Sequence, residues 1–441
     1  MTSVDPLPFP SLARRVQADL GAGRCVSITG LSNSGKSTLT RALGSPEALP
    51  LIEERAQGPC ALVYLDCNQA VALSPQAFYE LVLRALIEKV GTAATPELLQ
   101  ALRQHHQMVT DADSAFPASL SFNLALTELC ERFESSIILL IDEFDEIFAS
   151  LDERALLNMR ALKDRFTRRL TYATVTMRSL PELRSGSAED EFSEMFASTT
   201  YSIPPLTPDE VERYLSSLPS APLDAARREI CLRLSGGHPG ILVSLAQAVA
   251  ALPESTAGGL EGVAAMEPGP RAECLKIWTQ LRPQEQADLV AMATEAEAAV
   301  APPQIRRLEA LGLARQGRLF SPLFADFVAR RGRAADVGGK GVHLDPDSGD
   351  VWVDGIRIPV LTELEFRLLQ LLYDRRDKLT DKYRIVTAVW GDSYLDEVDD
   401  ARVEKLVSRL RGRIEPDPAD PRYLVTVRGR GYKLLSRPQE A

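Results

Sequence analysis

The stretch Gly30-Leu31-Ser32-Asn33-Ser34-Gly35-Lys36-Ser37 constrains this chain more than any other feature. It fits G-x-x-x-x-G-K-[S/T], and its flanks complete the pattern. An apolar strand candidate, RCVSIT (24–29), precedes it, and an apolar helical run from Thr38 to Leu43 follows. Glycines at both ends let the backbone curl until its N–H groups face inward, and the helix N-terminus adds partial positive charge. A loop of this kind holds phosphate. Gly30, Ser32, Asn33, Ser34, Gly35, Lys36, Ser37 and Thr38 form the candidate nucleotide-binding set. Lys36 is expected to neutralise β/γ-phosphate charge, and Ser37 to ligate Mg²⁺.

Such a site needs a buried strand that ends in acid. Ile137-Ile138-Leu139-Leu140-Ile141-Asp142-Glu143 supplies it, and five consecutive apolar residues suit a central strand covered on both faces. Asp142 is the candidate second metal residue, acting through the metal's water shell. Glu143 is placed to polarise an attacking water, with Asp145 and Glu146 as neighbouring acids. Further strand candidates lie at 61–66 and 170–177, and the helical pattern PQAFYELVLRALIEKV (75–90) sits between them. Strands alternating with helices predict a parallel α/β sheet. No N-K-x-D motif is present to read guanine, which favours adenine and hence ATP/ADP with Mg²⁺.

Residues 20–250 resemble STAND-type signal-transduction ATPases, a branch of the AAA+/Orc-like P-loop (ASCE) group. The resemblance makes TYATVTMRS (171–179) a sensor strand and Arg178 a catalytic phosphate sensor beside Glu143. It also makes Gly236-Gly237-His238-Pro239-Gly240 the lid motif, with Pro239 packing on the adenine. At 207–210, Thr-Pro-Asp-Glu reads as N-cap, N1 and N3 of a lid helix. The expected divisions are an ATPase domain (1–204), a helical lid (205–252), a linker (253–270), a winged-helix module (271–332) and a second linker (333–340). A finger arginine acting between copies would come from Arg160, Arg165, Arg168 or Arg169.

Charge isolates the last segment. The chain carries a formal −11, yet residues 401–437 hold ten Lys/Arg against four acids, while 391–400 hold five acids and no base. Residues 342–357 alternate around turns as short antiparallel strands. Thr362 and Glu365 form a capping box for one helix, and Lys382 to Trp390 form a second that stops at Gly391. At about 100° per residue, Val403, Val407, Leu410 and Ile414 make one stripe of a third helix. Arg402, Lys405, Arg409 and Arg413 make a basic face elsewhere on it. PRYLVTVRGRGY (421–432) then reads as a hairpin around Gly429-Arg430-Gly431, with Arg428 and Arg430 at its tip.

Residues 341–441 resemble the OmpR/PhoB-type winged-helix DNA-binding domain in the order LTELEFRLLQLL, AVWG, SRLRGRI, PRYLVTVRGRGYKLL. That resemblance implies a four-strand start, a recognition helix at 399–414 and a wing at 425–434. It makes Arg402, Lys405, Arg409, Arg411, Arg413, Arg428 and Arg430 the DNA-binding set, and double-stranded promoter or operator DNA the partner. Leu406 stands where the family has a polar contact, which points it at a thymine methyl. The acidic run 392–400 falls near a loop that contacts RNA polymerase in some members.

The fold expected is therefore multidomain, α/β plus α+β. Its parts are a P-loop ATPase with parallel sheet, helical lid and winged helix, then a C-terminal OmpR/PhoB-type winged helix-turn-helix. No apolar run spans a bilayer and no secretion signal opens the chain, so a cytoplasmic protein is expected, its six cysteines reduced. The reading is an ATP-dependent transcription regulator, a slow ATPase serving as switch, with an inducer and a nucleotide-dependent homo-oligomer as further partners. Two alternatives stand beside it. One is an ATP-driven DNA machine, initiator-like or defensive, acting outside transcription. In the other, the last domain docks protein.

Overall fold

The computed structural model describes residues 9–91, 93–218, 223–252, 262, 264, 267–294, 300–336, 341–345, 349–354, 356–359, 361–391, 400–427 and 429–436. Two compact units divide the chain: residues 1–264 with 301–322, and residues 265–300 with 323–441.

The first unit is built on a parallel sheet. Its strands are β1 (Val26–Thr29), β2 (Cys60–Asp66), β3 (Ser136–Asp142), β4 (Leu170–Thr176) and β5 (Thr200–Ser202). Their order is β2-β3-β4-β1-β5. β4 thus lies between the strand that feeds the phosphate loop and the strand that ends in Asp142, the order of an additional-strand P-loop ATPase fold. The apolar runs read from the sequence became the central strands because both faces are covered; β3 is buried from Ile137 to Asp142. β5 has no apolar run to announce it. It is three residues long, partly exposed, and held at the edge by pairing with β1.

Helices cover the sheet: α1 (Pro10–Gly21), α2 (Lys36–Leu43), α3 (Leu49–Ala56), α4 (Pro75–Val90), α5 (Pro96–Thr110), α6 (Ala115–Arg132), α7 (Asp145–Ser150), α8 (Glu153–Arg165), α9 (Leu180–Leu183) and α10 (Ser187–Glu194). Ser74, Thr95 and Asp152 each accept a backbone N–H three residues on, which sets the starts of α4, α5 and α8. Tyr79 on α4 stacks on Phe122 of α6 with ring centroids 4.2 Å apart, joining this helical insert to the sheet's core. The region expected as the lid contains α11 (Pro208–Ser217), α12 (Ala225–Ser235) and α13 (Pro239–Ala251). Thr207 and Glu210 make the reciprocal capping box expected for α11.

The region expected as one winged module contains α14 (Pro268–Thr279), α15 (Pro283–Ala293), α16 (Pro302–Ala310), the hairpin β6 (Ala314–Arg315) and β7 (Arg318–Leu319), and α17 (Pro322–Asp336). Residues 301–322 belong to the first unit and the remainder to the second. Two of the boundaries read from composition differ. α14 begins inside the expected 253–270 linker, and α17 continues to Asp336, into the expected 333–340 linker. Glycine and small residues suggested a linker from residue 333, but up to Asp336 the chain completes a helix whose Phe324, Phe327 and Val328 are buried.

The C-terminal part of the second unit has its own core. Among the described residues its opening sheet has three strands, β8 (Val342–Leu344), β9 (Val351–Val353) and β10 (Ile356–Arg357), where four were expected. α18 (Glu363–Asp374), α19 (Lys382–Trp390) and α20 (Asp400–Ile414) follow, then the hairpin β11 (Leu424–Val427) and β12 (Gly431–Leu434). Gly431 is required: its φ is +135°, and a Cβ there would lie 2.2 Å from the Thr380 carbonyl oxygen.

Candidate nucleotide site and nucleic-acid interface

Between β1 and α2 the backbone turns through Asn33 at φ +59° and Gly35 at φ +100°. Gly30 donates to the Thr176 carbonyl at 3.2 Å, which fastens the loop to β4. Side chains would fill the curl. A Cβ on Gly30 would lie 2.7 Å from Ser34 Oγ, and one on Gly35 would lie 2.9 Å from the Phe9 ring. Ser34 Oγ is buried and has no hydrogen-bond partner among the described residues.

Lys36 opens α2 and is 6% exposed. Its Nζ donates to the carbonyls of Gly30 at 2.7 Å and Leu31 at 3.3 Å. Burial lowers its pKa, and Glu143, Asp145 and Asp142 oppose that shift. These carboxylates are near enough to act on the amine. Ser37 follows at the helix start, half-buried, and Thr38 is exposed.

Asp142 ends β3 and is 1% exposed. One of its oxygens accepts the Glu143 N–H at 3.0 Å, the other the Tyr64 hydroxyl at 2.9 Å. Tyr64 lies on β2, where Asp66 pairs in register with Asp142. Burial, then Asp142, raise the Tyr64 pKa. Glu143 adopts φ +53°, unusual for a side-chain-bearing residue. Glu143 is exposed by surface area, yet partial desolvation raises its pKa; Lys36 opposes this, and Asp142, Asp145 and Asp66 add to it. Asp145 accepts the Met177 N–H at 2.8 Å. That bond ties the acid loop to the end of β4, beside Arg178, which is 6% exposed.

The start of α13 packs against this loop. Gly240, in the first turn of α13, donates to the Asn33 carbonyl at 3.1 Å. Pro239 Cγ would come within 3.6 Å of a Cβ on Gly35. Gly236 and Gly237 have φ +58° and +81°, and Cβ atoms there would lie 2.0 Å from Phe320 O and 2.3 Å from Leu206 O. The two glycines are needed because other backbone passes directly against them. A narrow cleft beside Pro239 is lined by Leu31, Ser34, Ile203, His238, Leu313 and Phe320.

Sequence reading missed Phe9, Tyr64 and Asp66, and had Asp145 only as a neighbouring acid. Phe9 carried no signal. The tyrosine had one: β2 and β3 both end in Asp, so Tyr64 stands two places before an acid on a strand paired with β3. Three of the four candidate finger arginines have partners within the domain. Arg160 pairs with Asp164, Arg165 with Glu131, and Arg169 donates to the carbonyls of Cys130, Phe133 and Glu134. Arg168 is exposed, with no hydrogen bond or ion pair among the described residues.

In the C-terminal domain, α20 buries Val403, Leu406, Val407, Leu410 and Ile414. Arg402, Lys405, Arg409 and Arg413 are exposed along it, and Arg430 is exposed in the wing turn. Lys405, Arg409, Arg413 and Arg430 make no ion pair among the described residues. Arg428 and the acidic run 392–399 lie outside the described residues.

Two expectations change. Leu406 is fully buried and cannot meet a thymine methyl; its position on α20 falls on the core stripe. Arg411 is half-buried and engaged inside the domain. Its Nε and Nη2 donate to the Leu424 carbonyl at 2.9 and 2.7 Å, and Nη2 to Thr426 Oγ1 at 2.7 Å. It fastens helix to wing and is not displayed as a DNA contact. Glu415, buried, accepts the N–H groups of Arg422, Tyr423 and Leu424 and starts β11.

Residues 359–434 match the family model described as "Transcriptional regulatory protein, C terminal". The chain is 36% identical over 98 residues to an uncharacterized transcriptional regulatory protein of Bacillus subtilis, covering 22% of this chain and 41% of that one. It is 39% identical over 95 residues to a sensory transduction protein of Mycobacterium leprae, covering 22% and 46% respectively. The chain thus spans less than half the length of these curated relatives. Among solved structures, a Walker-type ATPase of Pyrococcus abyssi is similar at a TM-score of 0.44 and 15% identity, over 74% of this chain and 96% of that one. The C-terminal domain is a winged helix of the OmpR/PhoB type.

Proposed function

We propose that this chain is a DNA-binding transcription regulator whose P-loop domain, of the STAND type, is a nucleotide switch. The observation that carries it is the occurrence in one chain of a phosphate loop, packed against by the helix that begins at Pro239, and an OmpR/PhoB-type domain whose exposed helix cations Lys405, Arg409 and Arg413 make no ion pair among the described residues. A nucleotide fits the loop. The curl is kept clear by Gly30 and Gly35, buried Ser34 Oγ lacks a partner, and Lys36 Nζ is held only by loop carbonyls that phosphate oxygens can replace. Mg²⁺ fits as well: Ser37 would ligate it and Asp142 would hold it through its water shell. The metal would supply charge neutralisation at the β- and γ-phosphates.

The chain's own groups divide the work. Backbone N–H groups of 32–38 and Lys36 bind the phosphates. Glu143 accepts a proton from an attacking water, and Arg178 senses the terminal phosphate through the end of β4. Pro239 covers the base and reports occupancy to the lid, because Gly240 is bonded to the loop itself. At the other end, Lys405, Arg409, Arg413 and Arg430 meet the duplex, the helix in the major groove and the wing along the backbone.

The test is selection of bound DNA from a random pool by the full chain, with ADP and with a non-hydrolysable ATP analogue. A recovered sequence motif whose enrichment depends on nucleotide supports the switch. Equal enrichment in both states removes the switch, and sequence-independent recovery favours the DNA machine.

A further inference from the structure

The connection from β2 to β3 is a helical insert with a surface of its own. Nine large apolar side chains stand well exposed among the described residues, and six of them belong here: Val71, Leu73, Met108, Phe116, Leu120 and Leu124. Val71 is 83% exposed and Phe116 76%, far beyond what isolated surface residues of a packed helix show. Phe116, Leu120 and Leu124 recur every four residues on α6 and so form one ridge. The opposite side of α6, with Phe122, Leu126 and Leu129, is fully buried. Met108 lies in the last turn of α5, next to the start of α6. The Gln76 side-chain amide donates to the carbonyls of Val109 at 2.9 Å and Ala112 at 3.1 Å. That clamp ties the Val71–Leu73 loop, which leads into α4, to the α5–α6 turn.

We propose that this ridge is a dimer interface, packing against the same ridge of a second copy about a twofold axis. Three observations select that occupant. From Ala115 to Thr127 the helix has no charged residue, so it offers nothing to steer an unlike, charged partner. A helix that lies on lipid would carry Lys or Arg beside its apolar face, and this stretch has none. The ridge is also self-complementary. Phe116 and Leu124 are about 12 Å apart along the axis, so antiparallel pairing sets each Phe116 on a partner Leu124 and brings the two Leu120 side chains together. The ridge residues Phe116, Leu120 and Leu124 are 76%, 47% and 44% exposed, with Val71, Leu73 and Met108 of the same insert adding to the apolar surface that a second copy would bury. Exposed apolar patches of this kind on a monomer mark a binding surface.

Sedimentation velocity on the full chain from low to tens of micromolar tests the proposal. The wild type is expected to dimerise, and Leu120→Glu and Leu124→Glu to weaken the dimer at least about tenfold as hot-spot positions do, with unchanged far-UV circular dichroism. A wild type that stays monomeric throughout overturns it and leaves the ridge to another protein. So does a variant that dimerises as tightly as wild type. Should a glutamate variant misfold, Leu120→Cys provides a second test. All six native cysteines are buried, so the new thiol is the exposed one. Mild oxidation is expected to join two copies through it in high yield, and no covalent dimer above the wild-type background refutes the twofold.

Discussion

Arg409 and Arg411 sit two residues apart on the same helix, and their substitution should fail in opposite ways. Arg411 makes its hydrogen bonds to the Leu424 carbonyl and the Thr426 hydroxyl; Leu424 is fully buried. Arg411→Ala removes a charge-assisted bond and leaves that carbonyl without its donor. A hydrogen bond to a charged group contributes about 1.5–3 kcal/mol, and an orphaned buried acceptor costs about 1–3. Arg411 is itself only half-buried, so water re-enters beside Thr426 and the lower end applies, about 2 kcal/mol. Arg409 has no such partner, and Arg409→Ala should change stability by less than ~0.5 kcal/mol. All three tryptophans, Trp278, Trp352 and Trp390, lie in the second unit, so their fluorescence in urea follows that unit alone. DNA affinity should invert the order. Arg409→Ala is expected to lose roughly 1–3 kcal/mol of binding to the selected site. Arg411→Lys, which keeps the charge but not the fork, should still destabilise the fold. If Arg411→Ala is as stable as wild type and binds DNA worse than Arg409→Ala, the helix–wing clip is wrong and Arg411 reads the duplex.

Further outcomes follow from the first unit and the wing. Partial desolvation raises the Glu143 pKa, so its proton-accepting form is lost on acidification at a pH above the usual carboxylate range. ATP turnover by the wild type should therefore fall early as pH drops, and Glu143→Gln should be slow and flat across that range. Tyr64→Phe removes the donor on Asp142 while leaving the phosphate loop intact. It should weaken nucleotide binding in Mg²⁺ but not in EDTA, measured by calorimetry, and equal loss in both would make Tyr64 merely structural. Gly431→Ala forces a Cβ onto the Thr380 carbonyl at a φ that disfavours side chains. The cost should be at least ~2 kcal/mol in the same tryptophan-monitored unfolding, and a neutral result would contradict the wing's backbone path.

The difference between Arg409 and Arg411 also shows what the sequence could carry. Motif and period placed the loop at 30–37 between strand and helix, the strand ending in Asp142 and the α18 capping box within a residue or two, because each is decided by neighbours along the chain; the bounds of α20 came from the resemblance. What escaped was decided across it. β5 is a strand only because β1 offers an edge, and 333–336 is helix only because its first turns are buried. Phe9, the residue just before α1, sits against Gly35 with nothing local to predict it. Arg178 was found by resemblance rather than by any periodicity, and its burial beside the Asp145–Met177 bond is a tertiary fact. In α20, the angle around the axis correctly gave a basic face and a core stripe. Angle cannot say which cation the wing will claim; for Leu406, about 40° from Leu410, it agrees with burial, and the thymine-methyl role came from the resemblance alone. Recognition is then left to the cations that β11 did not use. A basic helix becomes a selective surface by subtraction: folding satisfies Arg411, and the unsatisfied Lys405, Arg409 and Arg413 are what a duplex can still neutralise.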